Sequence, residues 1–347
     1  MAFHKFIDLN RRTPLLTVAF LVLTSWSLNS CSMGNSNSTL KIGRILMGTL
    51  VEVTVVGPSD LLQQAADSAL DEIKRIEDLT SFHKQSQLNE INDKSGLEPV
   101  KVDPELMALI QRSLEISQLT NGAFDPTIGV ISKLWNFSGP EGPRLPSPEE
   151  INQALNKVGW KKVQIFPERS EIYLPEQGMA LDLGGIAKGY ALNQAEQIIK
   201  SKGVKSALIN AGGDITAFGG KGPGVPWKIG IQDPRDPSAI AATVDIESGS
   251  VFTSGDYERY FEKDGIRYHH ILDPKTGFPS SAVESVSVVA PDGVRAEGLS
   301  AGIFVLGPKQ GSSLLDKMNN ISCLIVDSNG KFIILPEGCR VFKLRDQ

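Results

Sequence analysis

Alternation and helical periodicity divide the chain into short strands grouped between amphipathic helices. Residues 46–56 alternate and are rich in Val and Thr, which predicts a strand. Ser59 stands where it can cap a helix to about residue 79, with Leu62, Ala65, Ala66, Ala69, Ile73 and Ile76 on one face. Asp103-Pro104 opens a second helix to about Leu119. Ser147-Pro148-Glu149-Glu150 opens a third, ending near Gly159. Short strands are predicted at 163–166 and 171–174, and Gly184-Gly185 starts a helix to about Lys202. Strands recur at 206–210, 227–232, 241–246, 250–253, 267–272 and 283–290. Helices at about 295–305 and 308–319 precede strands at 321–326, 332–335 and 341–344. Strict strand–helix alternation is absent. The expected fold class is therefore α+β, with mixed, largely antiparallel sheets and packed helices.

The N-terminus has a different pattern. Lys5, Arg11 and Arg12 precede an apolar stretch over 15–28, too short for a membrane span and suited to a secretory signal. Leu28-Asn29-Ser30-Cys31 is similar to a bacterial lipobox, which implies cleavage before Cys31 and lipidation of its thiol. The alternative is a plain signal peptide with an incidental cysteine. The expected division is a lipoprotein signal peptide at 1–30, a flexible tether at 31–40, and one domain or two intimate subdomains at 41–347. The expected location is the periplasmic side of a bacterial membrane, anchored at Cys31. Inner and outer membrane stay open, with Ser32 leaning towards the outer.

Composition narrows the function classes. At 41% hydrophobic and 22% charged residues, the chain is neither wholly disordered nor collagen-like. A formal charge of −5 argues against nucleic acid as a partner, because duplex affinity rests on Lys and Arg meeting phosphates. Beyond Cys31, only Cys323 and Cys339 remain, and a bridge or two free thiols are both open.

The candidate chemistry gathers in glycine-rich polar segments. In 181–189, Gly184 and Gly185 permit close backbone approach, a helix N-terminus suits a pyrophosphate, and Lys188 adds positive charge. The spacing fits neither a Rossmann nor a Walker motif, and a plain tight turn is the alternative. His269 and His270 adjoin in a predicted strand, so they face opposite sides. One is a candidate general base, which Asp273 is placed to orient, and a structural histidine is the alternative. No third His stands at zinc spacing. Asp125, Asp182, Asp214, Asp256 and Asp273 lie near glycines, where turn roles compete with Mg²⁺ binding.

Taken in order, TNGAFDPTIG at 120–129, LDLGGIAKGY at 181–190, TSGDY at 253–257 and HILDPKTG at 270–277 resemble the FAD:protein FMN transferases of the ApbE type. The resemblance implies an ApbE-like, T-fold-related architecture. It implies Mg²⁺-dependent transfer of FMN from FAD to a Thr or Ser hydroxyl of an acceptor redox protein, releasing AMP. By resemblance, Met47, Phe82, Ala123, Phe124, Asp125, Asp182, Lys188 and Ile271 contact FAD, and His270 is the base. Phe82 stands where many members have Tyr. The metal positions are the Gly185 carbonyl, Glu297 and Ala301. The last two depart from the usual Asp and Thr, lengthening one ligand arm and removing a hydroxyl. FAD pyrophosphate hydrolysis and non-catalytic flavin binding are the alternatives.

Overall fold

The computed structural model describes residues 38–345 except His83 and Pro140. The predicted signal, Cys31 and most of the tether lie outside the described residues. Two strands, β1 (Ser38–Leu46) and β2 (Thr49–Gly57), form a hairpin where the alternation predicted one strand, and β1 already includes Ser38–Leu40 of the expected tether. Helix α1 (Ser59–Thr80) follows; Ser59 is its first residue and not its cap. Then come α2 (Gln87–Asp93), β3 (Val100–Lys101), α3 (Pro104–Leu119), α4 (Gly129–Trp135), α5 (Pro148–Leu155), β4 (Gln164–Phe166) and β5 (Glu171–Tyr173). Ser147 and Glu150 make the reciprocal capping box at α5.

The second half begins with α6 (Ala187–Ser201), β6 (Ser206–Ala211), β7 (Asp214–Phe218), β8 (Trp227–Gln232), β9 (Ile240–Ile246) and β10 (Ser248–Gly255). A hairpin of β11 (Tyr260–Lys263) and β12 (Ile266–His269) precedes β13 (Val283–Ala290). The stretch α7 (Gly293–Leu315) is two helical segments, as the sequence predicts, separated at Gly307, whose φ of 72° and ψ of 178° are non-helical, just before Pro308. Strands β14 (Ser322–Asp327), β15 (Phe332–Leu335) and β16 (Phe342–Leu344) complete the chain.

The main sheet has eight strands in the order β1-β2-β6-β7-β10-β13-β14-β15, every pair antiparallel. Period-two alternation separates its faces. Val51, Val53, Val55, Ile209, Val286, Val288 and Ile325 join α1, α6 and α7 in the larger core. Val56, Ile215, Val251 and Leu324 face the three-stranded sheet β16-β9-β8 in a second core. A third cluster gathers Trp135, Phe137, Phe261, Tyr268 and Phe278, which fastens the β11–β12 hairpin against α4. Helices thus cover one face and a small sheet the other. The α+β, largely antiparallel expectation holds.

Candidate active site

Two hairpin tips meet at one end of the main sheet. Met47 and Gly48 join β1 to β2 with Leu46 opposite Thr49, and their φ angles are 51° and 74°. Both central residues are left-handed, the turn that matches strand twist. Glycine accepts this freely, whereas Met47 holds it against its steric preference. The adjacent tip, Gly212-Gly213, joins β6 to β7. The Gly212 N–H donates to the Leu50 carbonyl at 3.1 Å, and a Cβ at Gly212 would meet Thr49 Oγ1 at 2.3 Å. The missing side chain is what lets the two tips touch.

Asp214, first in β7 and buried, ties three elements together. Its carboxylate is paired with the Lys188 ammonium from the first turn of α6. Its other oxygen accepts the Thr253 N–H of β10 at 3.0 Å. Burial disfavours the Lys188 charge, yet Asp214, Glu297 and Glu258 outweigh it and hold the ammonium protonated.

Glu297 reaches this cluster from α7. Gly189 and Gly293 touch where α6 crosses α7, since a Cβ on Gly189 would lie 2.2 Å from the Gly293 carbonyl oxygen. One turn on, Glu297 Oε2 accepts the Gly189 N–H at 2.6 Å. Burial first, then Asp214 and Glu258, push the Glu297 carboxyl up to about 8. Ser300 turns away, donating to the Glu297 carbonyl and lying 2.8 Å from Ser254 Oγ. Ala301 is half-buried against the core.

The segment after α3 lies on the other side of α6's N-terminus. The Phe124 N–H donates to Thr120 Oγ1 at 3.1 Å, and the Phe124 ring would meet a Cβ on Gly185 at 2.9 Å. Ala123 is buried beside it. Asp125 is committed to the backbone: Oδ1 accepts from the Thr127 N–H and hydroxyl, and Oδ2 from the Trp160 N–H at 3.0 Å. The Asp182 N–H donates to the Pro126 carbonyl at 2.7 Å, while its side chain accepts the Gly184 N–H at 2.9 Å. Ile186 gives α6 no side-chain cap; the Ala187 N–H donates to the Leu183 carbonyl at 2.8 Å and the Gly189 N–H to Glu297, so the first turn is largely satisfied from within the fold. Phe82 is half-buried, with the Lys133 ammonium 5.3 Å from its ring centroid.

The paired histidines separate as the alternation requires. His269 is buried, its Nε2 2.7 Å from the Ser280 carbonyl and its Nδ1 accepting the Ile271 N–H at 3.3 Å. Both ring nitrogens serve the backbone. His270 Nδ1 is shielded from solvent and has no hydrogen-bond partner among the described residues. Burial, reinforced by Arg259, His269 and Lys188, holds the His270 imidazole well below the usual histidine range. Asp273 orients neither ring. Its carboxylate accepts the Lys275 N–H at 2.9 Å and its carbonyl the Gly277 N–H at 2.8 Å, because Asp-Pro-Lys-Thr-Gly is a tight turn. Cys323 and Cys339 are both free thiols, with Cys339 Sγ 3.1 Å from Ser322 Oγ.

One end of the molecule thus brings together Lys188, Asp214, Glu297, Gly185 and Phe124, with the Met47 tip beside the Gly212 turn and His270 within electrostatic reach of Lys188. The role of Asp214 as partner of Lys188 was not read from the sequence. The Gly-Gly-Asp run marked a turn, but nothing in it named a lysine on another element.

A lysine fixed by a carboxylate at a glycine-rich helix start suits a phosphate-bearing ligand, and the chain belongs to the ApbE family, matching it over residues 47–325. It is 34% identical over 319 residues to the FAD:protein FMN transferase of Treponema pallidum (strain Nichols), covering 85% of this chain and 88% of that one. It is 31% identical over 278 residues to the FAD:protein FMN transferase of Escherichia coli (strain K12), covering 78% and 79%. Among solved structures, the ApbE protein of Thermotoga maritima superposes with a TM-score of 0.80 at 39% identity, covering 85% of this chain and 96% of that one. The flavin transferase ApbE of Vibrio cholerae does so with a TM-score of 0.77 at 26% identity, covering 86% and 96%.

Proposed function

We propose that this chain is an FAD:protein FMN transferase that moves FMN from FAD to a Thr or Ser hydroxyl of an acceptor redox protein. The observation carrying this reading is the unpartnered Nδ1 of His270, within electrostatic reach of Lys188, which is itself paired with Asp214. The acceptor oxygen attacks the phosphorus on the FMN side, the bond from that phosphorus to the bridging oxygen breaks, and AMP leaves with that oxygen. The hydroxyl proton goes to His270, which is neutral and therefore able to accept it. Lys188 offsets pyrophosphate charge, and Asp214 fixes where the ammonium points. Met47, Phe82 and Phe124 supply the apolar surface for the flavin ring, with Ala123, Asp125, Asp182 and Ile271 shaping the same pocket.

Among the described residues, no three His, Cys, Asp or Glu side chains converge as metal ligands. Mg²⁺ does not need three, because one carboxylate, backbone carbonyls, waters and phosphate oxygens satisfy it. The crowding of carboxyls fits a hard cation: burial and their mutual repulsion push Glu297 up to about 8 and Glu258 up to about 7 beside Asp214 and Lys188, and a bound cation would relieve this. Glu297 and the Gly185 carbonyl would hold the ion, and Ala301 offers no side-chain donor. When bound, Mg²⁺ would polarise the phosphoryl oxygens and neutralise developing charge.

The lipid anchor at Cys31 and a periplasmic location belong to the same proposal, supported by the lipobox-like Leu28-Asn29-Ser30-Cys31. A second reading, FAD hydrolysis or flavin binding without transfer, is favoured by Glu297 and Ala301. The test incubates the full chain in detergent with FAD, Mg²⁺ and a Thr-bearing acceptor domain, with an EDTA control. An FMN-sized mass gain on the acceptor with AMP release, both lost in EDTA, is the expected result. AMP and FMN without acceptor labelling would move the assignment to hydrolase, and tight FAD binding without either would move it to a binding protein.

A further inference from the structure

We infer that Arg259 binds an oxyanion of a reactant beside His270, with a carboxylate of the acceptor protein and the pyrophosphate of FAD as the two sources of that group. The inference rests on the transferase reading above. The Arg259 carbonyl accepts the His270 N–H at 3.0 Å, one step beyond the Tyr260–His269 pair of the β11–β12 ladder. Directly opposed residues project to the same face, so guanidinium and imidazole share a side.

The partners of Arg259 set it apart from its neighbours. Arg235 grips Asp256 with two nitrogens at 2.8 Å each and reaches Glu284 at 2.9 Å. Arg267 also reaches Asp256, at 3.6 Å, and lies over the Tyr260 ring. Arg259 is exposed, and no carboxylate among the described residues lies within ion-pair distance of it. Its one hydrogen bond among them is from Nη1 to the neutral Ser138 Oγ at 2.8 Å. That hydroxyl orients the fork and leaves most of its donors unspent, and Glu258, its neighbour along the chain, feels its charge without an ion pair. A cation placed beside a base also works against the proton that base must take up. An oxyanion on Arg259 offsets this, so His270 gains basicity as the reactants assemble.

The test uses the full chain with Arg259→Gln, Arg259→Lys and Ser138→Ala. FAD affinity is read by flavin fluorescence, acceptor KM by FMN transfer to a Thr-bearing acceptor domain, and folding by thermal melting. Arg259→Gln is expected to weaken one of the two constants at least about tenfold with the melting temperature unchanged, the scale of a charge-assisted hydrogen bond. Arg259→Lys should recover part of that loss, and Ser138→Ala should show a smaller loss in the same constant.

The two sources separate cleanly. If the acceptor supplies the group, its KM rises alone, and changing acidic residues near the target Thr to amides costs the wild type but not Arg259→Gln. If FAD supplies it, the FAD affinity falls and inorganic pyrophosphate competes less well with FAD in the variant. A wild-type chain that transfers FMN, with both constants of Arg259→Gln within twofold of it, overturns the inference. A wild-type chain that transfers no FMN overturns the transferase reading, and this one with it.

Discussion

His269, the last residue of strand β12, and His270, the first beyond it, are the same kind of side chain in opposite circumstances. His269 lies edge-on to Phe304, ring centroids 5.5 Å apart, with both nitrogens engaged by backbone groups. His270 is shielded on one nitrogen and has no partner for it among the described residues. A buried polar group without a partner destabilises the fold, so its retention points to chemistry rather than architecture. Polar satisfaction, not residue type, separates the histidine that builds the molecule from the one available to act.

Substitution should break this comparison first and most strongly. His270→Asn should reduce FMN transfer by at least about a hundredfold, the low end of general-base contributions, while melting temperature and FAD affinity stay near wild type. Acceptor mass spectrometry over a time course reads this directly. Retained transfer would remove His270 from the mechanism. His269→Ala should do the reverse, lowering folding stability by about 2–3 kcal/mol through two lost buried hydrogen bonds and a ring contact. Its transfer rate per folded molecule should stay within a few-fold. Equal effects from the two substitutions would erase the distinction.

Proton linkage sharpens the same contrast. Both histidines are held below the ordinary value of 6.5, His269 chiefly by burial and His270 by burial together with neighbouring cations. The unfolded chain then binds more protons than the folded one as pH falls through 6.5. The histidine contribution to stability should be full above that value and decline towards the depressed folded values. The raised Glu297 and Glu258 carboxyls, at about 8 and about 7, act in the opposite direction as pH falls from 8, so the histidine part is read as the difference in chemical denaturation between wild type and His269→Ala or His270→Asn from pH 8 to 5. His270 stays unprotonated from pH 8 to about 6.5, so a change in transfer rate over that range belongs to the carboxyls.

How much of this was legible depends on whether the signal was local. The apolar alternation of β2, β6 and β13 revealed their buried faces, and Asp103-Pro104 and Ser147-Pro148 marked helix starts, since caps act within one turn. The β1–β2 turn was not legible: Met47 is an unfavourable left-handed residue, and no Asn-Gly or Asp-Gly announced it. Strand β7 was missed because Asp-Ile-Thr-Ala-Phe is only five residues between glycine turns, too short for its alternation to stand out. In the site, glycine-rich turns were readable as places of close approach. The Lys188–Asp214 pair and the Glu297–Gly189 contact join residues 26 and 108 positions apart, and only the folded topology brings them together. Asp273 was misread because its carboxylate closes its own turn onto Lys275 instead of reaching either ring.

The smallest expected effect tests whether strain at the site end has a purpose. Glycine at position 47 would relieve the left-handed backbone by about 1 kcal/mol, but it also gives the unfolded chain freedom costing about 0.5–1 kcal/mol. These nearly cancel, and the half-buried Met47 side chain adds a modest packing loss. Met47→Gly should therefore change folding stability by no more than about 1 kcal/mol in denaturant titrations. If the methionine is kept in this conformation for the flavin, FAD affinity should fall by several-fold while stability hardly moves. Unchanged affinity would mean that Met47 serves only the hairpin, and the strain at this tip would then belong with the architecture of His269 rather than with the chemistry of His270.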